Sequence, residues 1–101
     1  MHLVQILLPV ADNGGTPFPE HQFADLRRDL LELFGGVTVF SQGPAEGFWR
    51  GRDGTSEDDI VIFEVMADAL DERWWSGLRK RLETEFRQED VVIRAQDIRR
   101  L

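Results

Sequence analysis

The sequence predicts an α+β fold in the order βαββαβ, a four-stranded antiparallel sheet with both helices on one face. Three observations carry that prediction. The run Ile60-Val61-Ile62-Phe63-Glu64-Val65-Met66 is apolar on both parities, with Glu64 its only charge. A strand with one buried face alternates apolar and polar, so this run is covered on both sides. The segment Leu3 to Val10 shows the same two-sided character, with Val4, Ile6, Leu8 and Val10 on one parity and Leu3, Gln5 and Leu7 on the other. A stretch of helical period follows each of these strands, from Phe23 to Phe34 and from Trp74 to Phe86.

Leu3 to Val10 is brief, carries β-branched residues on one parity and stops at Ala11-Asp12-Asn13-Gly14-Gly15, which marks a strand and its turn. From Pro19 the period changes. Phe23, Leu26, Leu30, Leu33 and Phe34 share one side of a helix, while Asp25, Arg28, Asp29 and Glu32 fall largely opposite. Proline is tolerated in a first turn, and Gly35-Gly36 supplies the left-handed conformation that ends a helix. Val37 to Ser41 reads as a strand, interrupted by Gln42-Gly43-Pro44-Ala45-Glu46-Gly47. Phe48-Trp49-Arg50 is extended again, and Arg52-Asp53-Gly54-Thr55 supplies a hairpin turn. Pro44 cannot donate to a ladder, so the two pieces suit one long, bent edge strand.

Asp68 with Asp71 three residues on predicts a capping pair that opens a second helix from Ala69 to about Gln88. Its apolar stripe is Trp74, Trp75, Leu78, Leu82 and Phe86. Gly77 inside it costs about 1 kcal/mol relative to alanine, which suggests close packing there. Val91 to Ala95 is the last strand, with Gln96 to Leu101 as a tail.

This order is the split βαβ, or ferredoxin-like, arrangement, with the first and third strands central. Those are the two strands that are apolar on both parities. If Val61, Phe63 and Val65 point at the helices with Val4, Ile6, Leu8 and Val10, the open face displays Leu3, Gln5, Leu7, Ile60, Ile62, Glu64 and Met66. The edge strands add Val92 and Arg94, with either Thr38 and Phe40 or their neighbours. Apolar patches of that size mark interaction sites, and the expected partner is a second copy, two sheets stacked face to face.

Length bounds the answer to one domain over residues 1–101. Hydrophobic residues at 42% and charged residues at 31% are globular proportions. Nineteen acids against twelve bases give a net charge of −7, which works against nucleic acid and anionic lipid as partners. The bases from Arg73 to Arg87 are interleaved with acids, and the group from Arg94 to Arg100 is short. Absence of cysteine removes disulfides, thiolate nucleophiles and cysteine metal sites together. The apolar start, Met1 to Leu8, lacks a basic leader and runs into a strand, so neither a signal peptide nor a membrane span is expected, and the cytoplasm is the default location.

Few residues carry chemistry. Gln5, Glu64 and Arg94 can form a polar row across three adjacent strands of the open face, orienting a polar ligand or placing a base; the same three also make a structural ion pair buried by dimerisation. Glu64 and Arg94 are the candidates for catalysis. His2 and His21 lie before the first strand and in the first turn of the first helix, which does not make a metal site, and no cofactor is expected. Asp53 to Asp59 has acids without the alternating ligand pattern of a calcium loop and reads as a solvated hairpin tip. No nucleophile elbow, phosphate loop or dinucleotide fingerprint is present. Trp74 and Trp75 point about 100° apart on a helix, so one packs in the core and the other, Trp74, is a candidate for a pocket wall. Pro44 to Arg50 packs proline, glycine, an acid, two aromatics and an arginine into one boundary, which makes Glu46, Trp49 and Arg50 ligand-binding candidates; alternatively Pro44 and Gly47 shape a bulge while Phe48 and Trp49 fill the two faces.

Phe34-Gly35-Gly36-Val37-Thr38, Pro44 to Trp49, Phe86-Arg87-Gln88-Glu89 and the tryptophan pair resemble a group of small, functionally uncharacterised bacterial proteins of about this length. At fold level the chain is similar to the dimeric α+β barrel proteins, which include cofactor-independent monooxygenases, haem-degrading enzymes, isomerases and plain ligand binders. That resemblance implies a homodimer with a cavity between sheet and partner, and shared fold does not transfer function. Haem-degrading members carry an axial histidine on a helix, and neither His2 nor His21 falls on the second helix. The reading that results is a homodimeric module that binds a small organic ligand or serves in assembly. The alternative is a cofactor-independent enzyme, monooxygenase-like or isomerase-like, with Glu64 as proton acceptor and Arg94 or Arg50 steadying negative charge. A third is an accessory protein pairing with a larger partner through the same face.

Overall fold

Seven elements follow in order: β1 (His2–Pro9), α1 (Glu20–Phe34), β2 (Thr38–Phe40), β3 (Glu46–Gly51), β4 (Gly54–Ala67), α2 (Glu72–Glu85) and β5 (Val92–Asp97). They belong to a computed structural model that describes residues 1–40, 46–51 and 54–101, with side chains described outside 46–58. The sheet order is β2-β4-β1-β5, every pairing antiparallel, and β3 pairs with the first half of β4. β2 lies against residues 62–64 of β4 and β3 against residues 54–59. The second strand of the βαββαβ arrangement is thus in two pieces along one long partner, as the proline interruption predicts. Ser41 to Ala45 and the predicted turn residues Arg52 and Asp53 lie outside the described residues.

Parity decides which face is buried. Val4, Ile6 and Leu8 of β1 are at most 1% exposed, and Val61, Phe63 and Val65 of β4 are buried with them, all facing the helices. Leu26 and Leu30 of α1 and Trp75, Leu78 and Leu82 of α2 close over them. Aromatic rings fill the seam: Phe23 stacks on Phe63 at 6.4 Å, and Phe86 lies between Phe18 at 5.0 Å and Phe23 at 5.2 Å. Phe18 reaches this cluster because the loop after β1 doubles back, with the Phe18 N–H donating to the Val10 carbonyl at 3.0 Å.

The α1 stripe turns away from Leu33, which is 59% exposed, and ends on Phe34, stacked on Trp75 at 5.3 Å. At 3.6 residues per turn the position after Leu26 and Leu30 is 34, so the predicted core place for Leu33 belongs to its neighbour. Gly35 ends α1 at φ 78°, its N–H donating to the Leu31 carbonyl at 2.9 Å.

Helix α2 starts later than the sequence predicts. Asp71 is its N-cap, the carboxylate accepting from the Trp74 N–H at 3.1 Å, while Asp68 remains before the helix. An aspartate at the cap already satisfies an orphan donor alone, so the second acid is not needed. The helix closes at Glu85 in a Schellman pattern, with Gln88 N–H donating to Glu83 O at 2.9 Å and Arg87 N–H to Thr84 O at 3.3 Å. Arg87 takes the left-handed position at φ 49° that glycine usually fills; its guanidinium is held 3.4 Å from Asp12 and 5.7 Å over the Phe18 ring. Gly77 has nothing within 4 Å of the place a Cβ would occupy, which corrects the expectation of close packing. β5 begins one residue later than its predicted start. Val91, just before it, is buried and donates its N–H to the Glu83 carboxylate at 3.0 Å.

Two consequences are measurable by urea unfolding. Asp71→Ala removes the cap and should cost about 1 kcal/mol, whereas Asp68→Ala should stay within about 0.5 kcal/mol; equal losses would restore a two-acid cap. Gly77→Ala should stabilise by about 0.5–1 kcal/mol, and destabilisation would reveal a neighbour at that surface.

Candidate functional site

Directly opposed residues of an antiparallel pair share a face. Gln5 pairs with Glu64 on one side and Arg94 on the other, and Thr38 pairs with Glu64. These four make one row across β2, β4, β1 and β5, on the side away from both helices. The Gln5 amide is held from both ends: its Nε2 donates to Glu64 Oε1 at 2.8 Å, and its Oε1 accepts from Arg94 Nε at 2.9 Å. The predicted row of Gln5, Glu64 and Arg94 is therefore one hydrogen-bonded chain. Gln5 and Glu64 are half-buried and Arg94 is exposed. Among the described residues, Glu64 Oε2 and the two Nη groups of Arg94 have no protein partner.

Apolar rows flank the polar one. Phe40, Ile62, Leu7 and Val92 are in register on one side, and Met66, Leu3 and Gln96 on the other. Phe40 at 42%, Met66 at 47% and Val92 at 36% are exposed at the margins of this surface, and Leu3, Leu7 and Ile62 between them are half-buried. Ile60, at the same parity and paired with Pro9, is already closed off at 7%.

A cavity of about 570 Å³ opens at the Glu64 end of the row, where Leu3, Thr38 and Met66 meet the α1 terminus at Phe34 to Gly36. Asp68 and Arg100 add one charge of each sign to its wall. Arg100 arrives because the C-terminal segment continues along β1, with the Ile98 N–H donating to the Met1 carbonyl at 3.0 Å. Reading Gln96 to Leu101 as a tail misses this residue, and the apolar Ile98 within it is the signal that the pairing continues.

Of the other sequence candidates, Trp74 does not join this site. Trp74 is on the helical layer, in a groove with Leu30, Leu33 and Leu78, edge-on to Trp75 at 4.8 Å. Its neighbour Trp75 is the one that fills the core. Glu46, Trp49 and Arg50 belong to β3, paired with Asp59, Ser56 and Thr55, and their side chains lie outside the described residues. His2 is within β1, rather than before it, and its Nδ1 is 2.8 Å from Asp97 Oδ1 on β5. His21 is exposed on the first turn of α1. Among the described residues there is no group of three or more side chains suited to a metal ion, and no helix long and apolar enough to cross a membrane.

No protein-family model matches the chain, and no curated protein does either. Solved structures match at the level of fold. A phage SAM lyase in complex with S-methyl-5'-thioadenosine superposes with a TM-score of 0.66 at 16% identity, over 95% of this chain and 80% of the lyase. CutA1 from Pyrococcus horikoshii gives 0.63 at 16% identity, over 100% of this chain and 86% of CutA1. The divalent cation tolerance protein CutA1 from Thermus thermophilus gives 0.63 at 18% identity, over 97% and 84%. At such identities the likeness establishes a small ferredoxin-like fold and no narrower family.

The hydrogen-bonded chain has a direct test. A double-mutant cycle of Gln5→Ala and Arg94→Ala, read by denaturant unfolding, should give a coupling of about 1 kcal/mol. A coupling indistinguishable from zero would mean that the two side chains are neighbours without a bond that matters.

Proposed function

We propose that this chain acts as a homodimer whose copies meet through their open sheet faces, enclosing the Glu64–Gln5–Arg94 row and the adjoining cavity as a site for a small polar organic molecule. The observation that carries this reading is the polar chain set within apolar rows on a bare face. Apolar side chains in register across four strands favour removal from water, and the row between them supplies the few polar anchors that orient a ligand. A volume of about 570 Å³ is of the size that small-molecule sites occupy.

The anchors have complementary chemistry. Arg94 commits only Nε to Gln5, leaving its two Nη groups as a fork for a carboxylate or phosphate. Glu64 commits Oε1 and keeps Oε2 for an amine or hydroxyl donor. A nucleoside-sized ligand is within reach of this fold, since the phage SAM lyase holds S-methyl-5'-thioadenosine. The cation role in the CutA1 name finds less support, because Glu64 has no second and third ligand beside it among the described residues.

Catalysis by Glu64 is the second reading, favoured by the same geometry. One carboxylate oxygen is fixed by Gln5 and the other is free beside the cavity, which is how a proton acceptor is positioned. Arg94 is two strands from Glu64 and outside the lining of that cavity, so it would steady developing negative charge only on a substrate long enough to span the row.

Sedimentation at micromolar concentration should give twice the 11.7 kDa chain mass. Ile62→Glu should reduce it to one chain with the helical circular dichroism retained. A wild type that remains a single chain at every concentration would contradict the proposal. For the ligand, a panel of small carboxylates and nucleosides screened by thermal shift should yield binders that Arg94→Ala weakens about 10- to 100-fold. Turnover of such a binder, lost in Glu64→Gln with affinity kept, would select the enzymatic reading.

A further inference from the structure

We infer that the two copies pair about a twofold axis lying between the sheets and parallel to β1, so that Glu64 of each copy faces the partner's Arg94. This rests on the proposed face-to-face homodimer and adds its orientation. Along β1, β2, β5 and residues 60–67 of β4, the open face presents two charged side chains, Glu64 and Arg94. They flank Gln5 symmetrically, one strand to either side. At the usual strand spacing they lie about 10 Å apart, with β1 midway. The row is thus a line of charge reading negative, neutral, positive across the sheet.

Two identical sheets that stack face to face by a closed symmetry need a twofold axis in the plane between them. An axis parallel to β1 reverses the strand order of the partner, laying its β5 over β4 and its β4 over β5. Glu64 then meets the partner's Arg94 twice, by symmetry, and Gln5 meets the partner's Gln5. An axis perpendicular to the strands preserves the order and sets glutamate over glutamate and arginine over arginine. Like charges in a semi-apolar interface are costly and opposite ones are not. The side chains are long enough to meet across sheets about 10 Å apart.

The apolar rows are compatible with either axis and leave the choice to the charges. An axis parallel to β1 keeps each row opposite its own copy, so Ile62 lies over the partner's Val92 and Leu7 over the partner's Leu7. The perpendicular axis would put this row against Met66, Leu3 and Gln96; Gln96 then lies over an apolar side chain, Val92, just as it lies over Met66 with the axis parallel to β1. β1, the facing part of β4 and the shorter β5 and β2 cover about 400 Å² per copy, and the pair about 800 Å², below the standard size of stable interfaces. At that size the charge pattern has leverage over orientation. In this pairing the free Glu64 oxygen and the free Arg94 nitrogens of the two copies face each other when no ligand is bound, so a ligand of the proposed site enters between them and each site is incomplete in a single chain.

Charge reversal tests the axis by sedimentation, with circular dichroism as the control for folding. Glu64→Arg and Arg94→Glu should each weaken self-association by about 100-fold or more, since each creates like pairs. An equimolar mixture of the two variants should pair with affinity near wild type, because both contacts become opposite again, and the double variant should recover as well. A wild-type dimer whose single variants associate equally well, or whose mixture gains nothing, overturns the orientation while leaving the dimer intact. A wild type that stays monomeric overturns the underlying reading instead, and a trimer excludes the twofold axis. Should the reversals unfold the chain, its lack of cysteine allows a second route. Glu64→Cys mixed with Arg94→Cys should cross-link through a short bis-maleimide more than either variant alone, and preferential linkage within Glu64→Cys would refute the axis.

Discussion

The structure depends on a mismatch between two central strands that are apolar on both faces and two helices that cover only one. Val4, Ile6 and Leu8 with Val61, Phe63 and Val65 are sealed beneath α1 and α2. The alternate residues Leu3, Leu7, Ile62 and Met66 have no layer above them among the described residues. Sheets buried on one side ordinarily turn polar on the other. Here the second side keeps aliphatic residues on β1 and β4, with Phe40 and Val92 extending the patch to both edges. Two-layer α+β architecture explains the sealed face completely and the bare face not at all.

Within that bare face the one polar row is ordered rather than scattered. Gln5 has a donor and an acceptor on one side chain, and each is used toward the opposite charge. A glutamine in this place lets a carboxylate and a guanidinium on non-adjacent strands share one network, with each keeping free atoms. Charge-assisted bonds of this kind weaken little when water leaves, whereas an unpaired carboxylate on the same strand would oppose burial strongly. The network therefore makes the face buriable. The net charge of −7 opposes association of like chains, so complementarity local to the row carries more weight in setting orientation.

What is legible in the sequence is what depends on short periods. Apolar character on both parities of Ile60 to Met66 and Leu3 to Val10 marks the central strands, and the alternation of side chains sorts their residues into a buried set and an open-face set. It also marks the row, because Gln5, Glu64 and Arg94 stand on matching parities. The stripe in α1 fails at Leu33 because a helix advances by 3.6 residues, and one position decides which residue meets the sheet. The start of α2 is misplaced by the sequence because Asp68 and Asp71 have capping-box spacing, and only the Trp74 N–H bond to the Asp71 carboxylate puts the cap at the second acid. The cavity beside Glu64 is not legible. It depends on Arg100 and Asp68, which are distant in sequence from α1 and reach it only through pairing at the ends of β1 and β4. Trp74 and Trp75 are equivalent in sequence, and the stacking of Phe34 separates their roles.

Met66 offers the most direct view of the central claim, since among the described residues it is the most exposed large apolar one of the open face, and it is readily oxidised. Hydroxyl-radical footprinting of the intact chain over a dilution series should find Met66 protected at high concentration and labelled rapidly at low concentration, while the exposed Leu33 on the helical side keeps one rate throughout. A Met66 oxidation rate that stays high and independent of concentration would show the sheet face open to water in every state of the molecule.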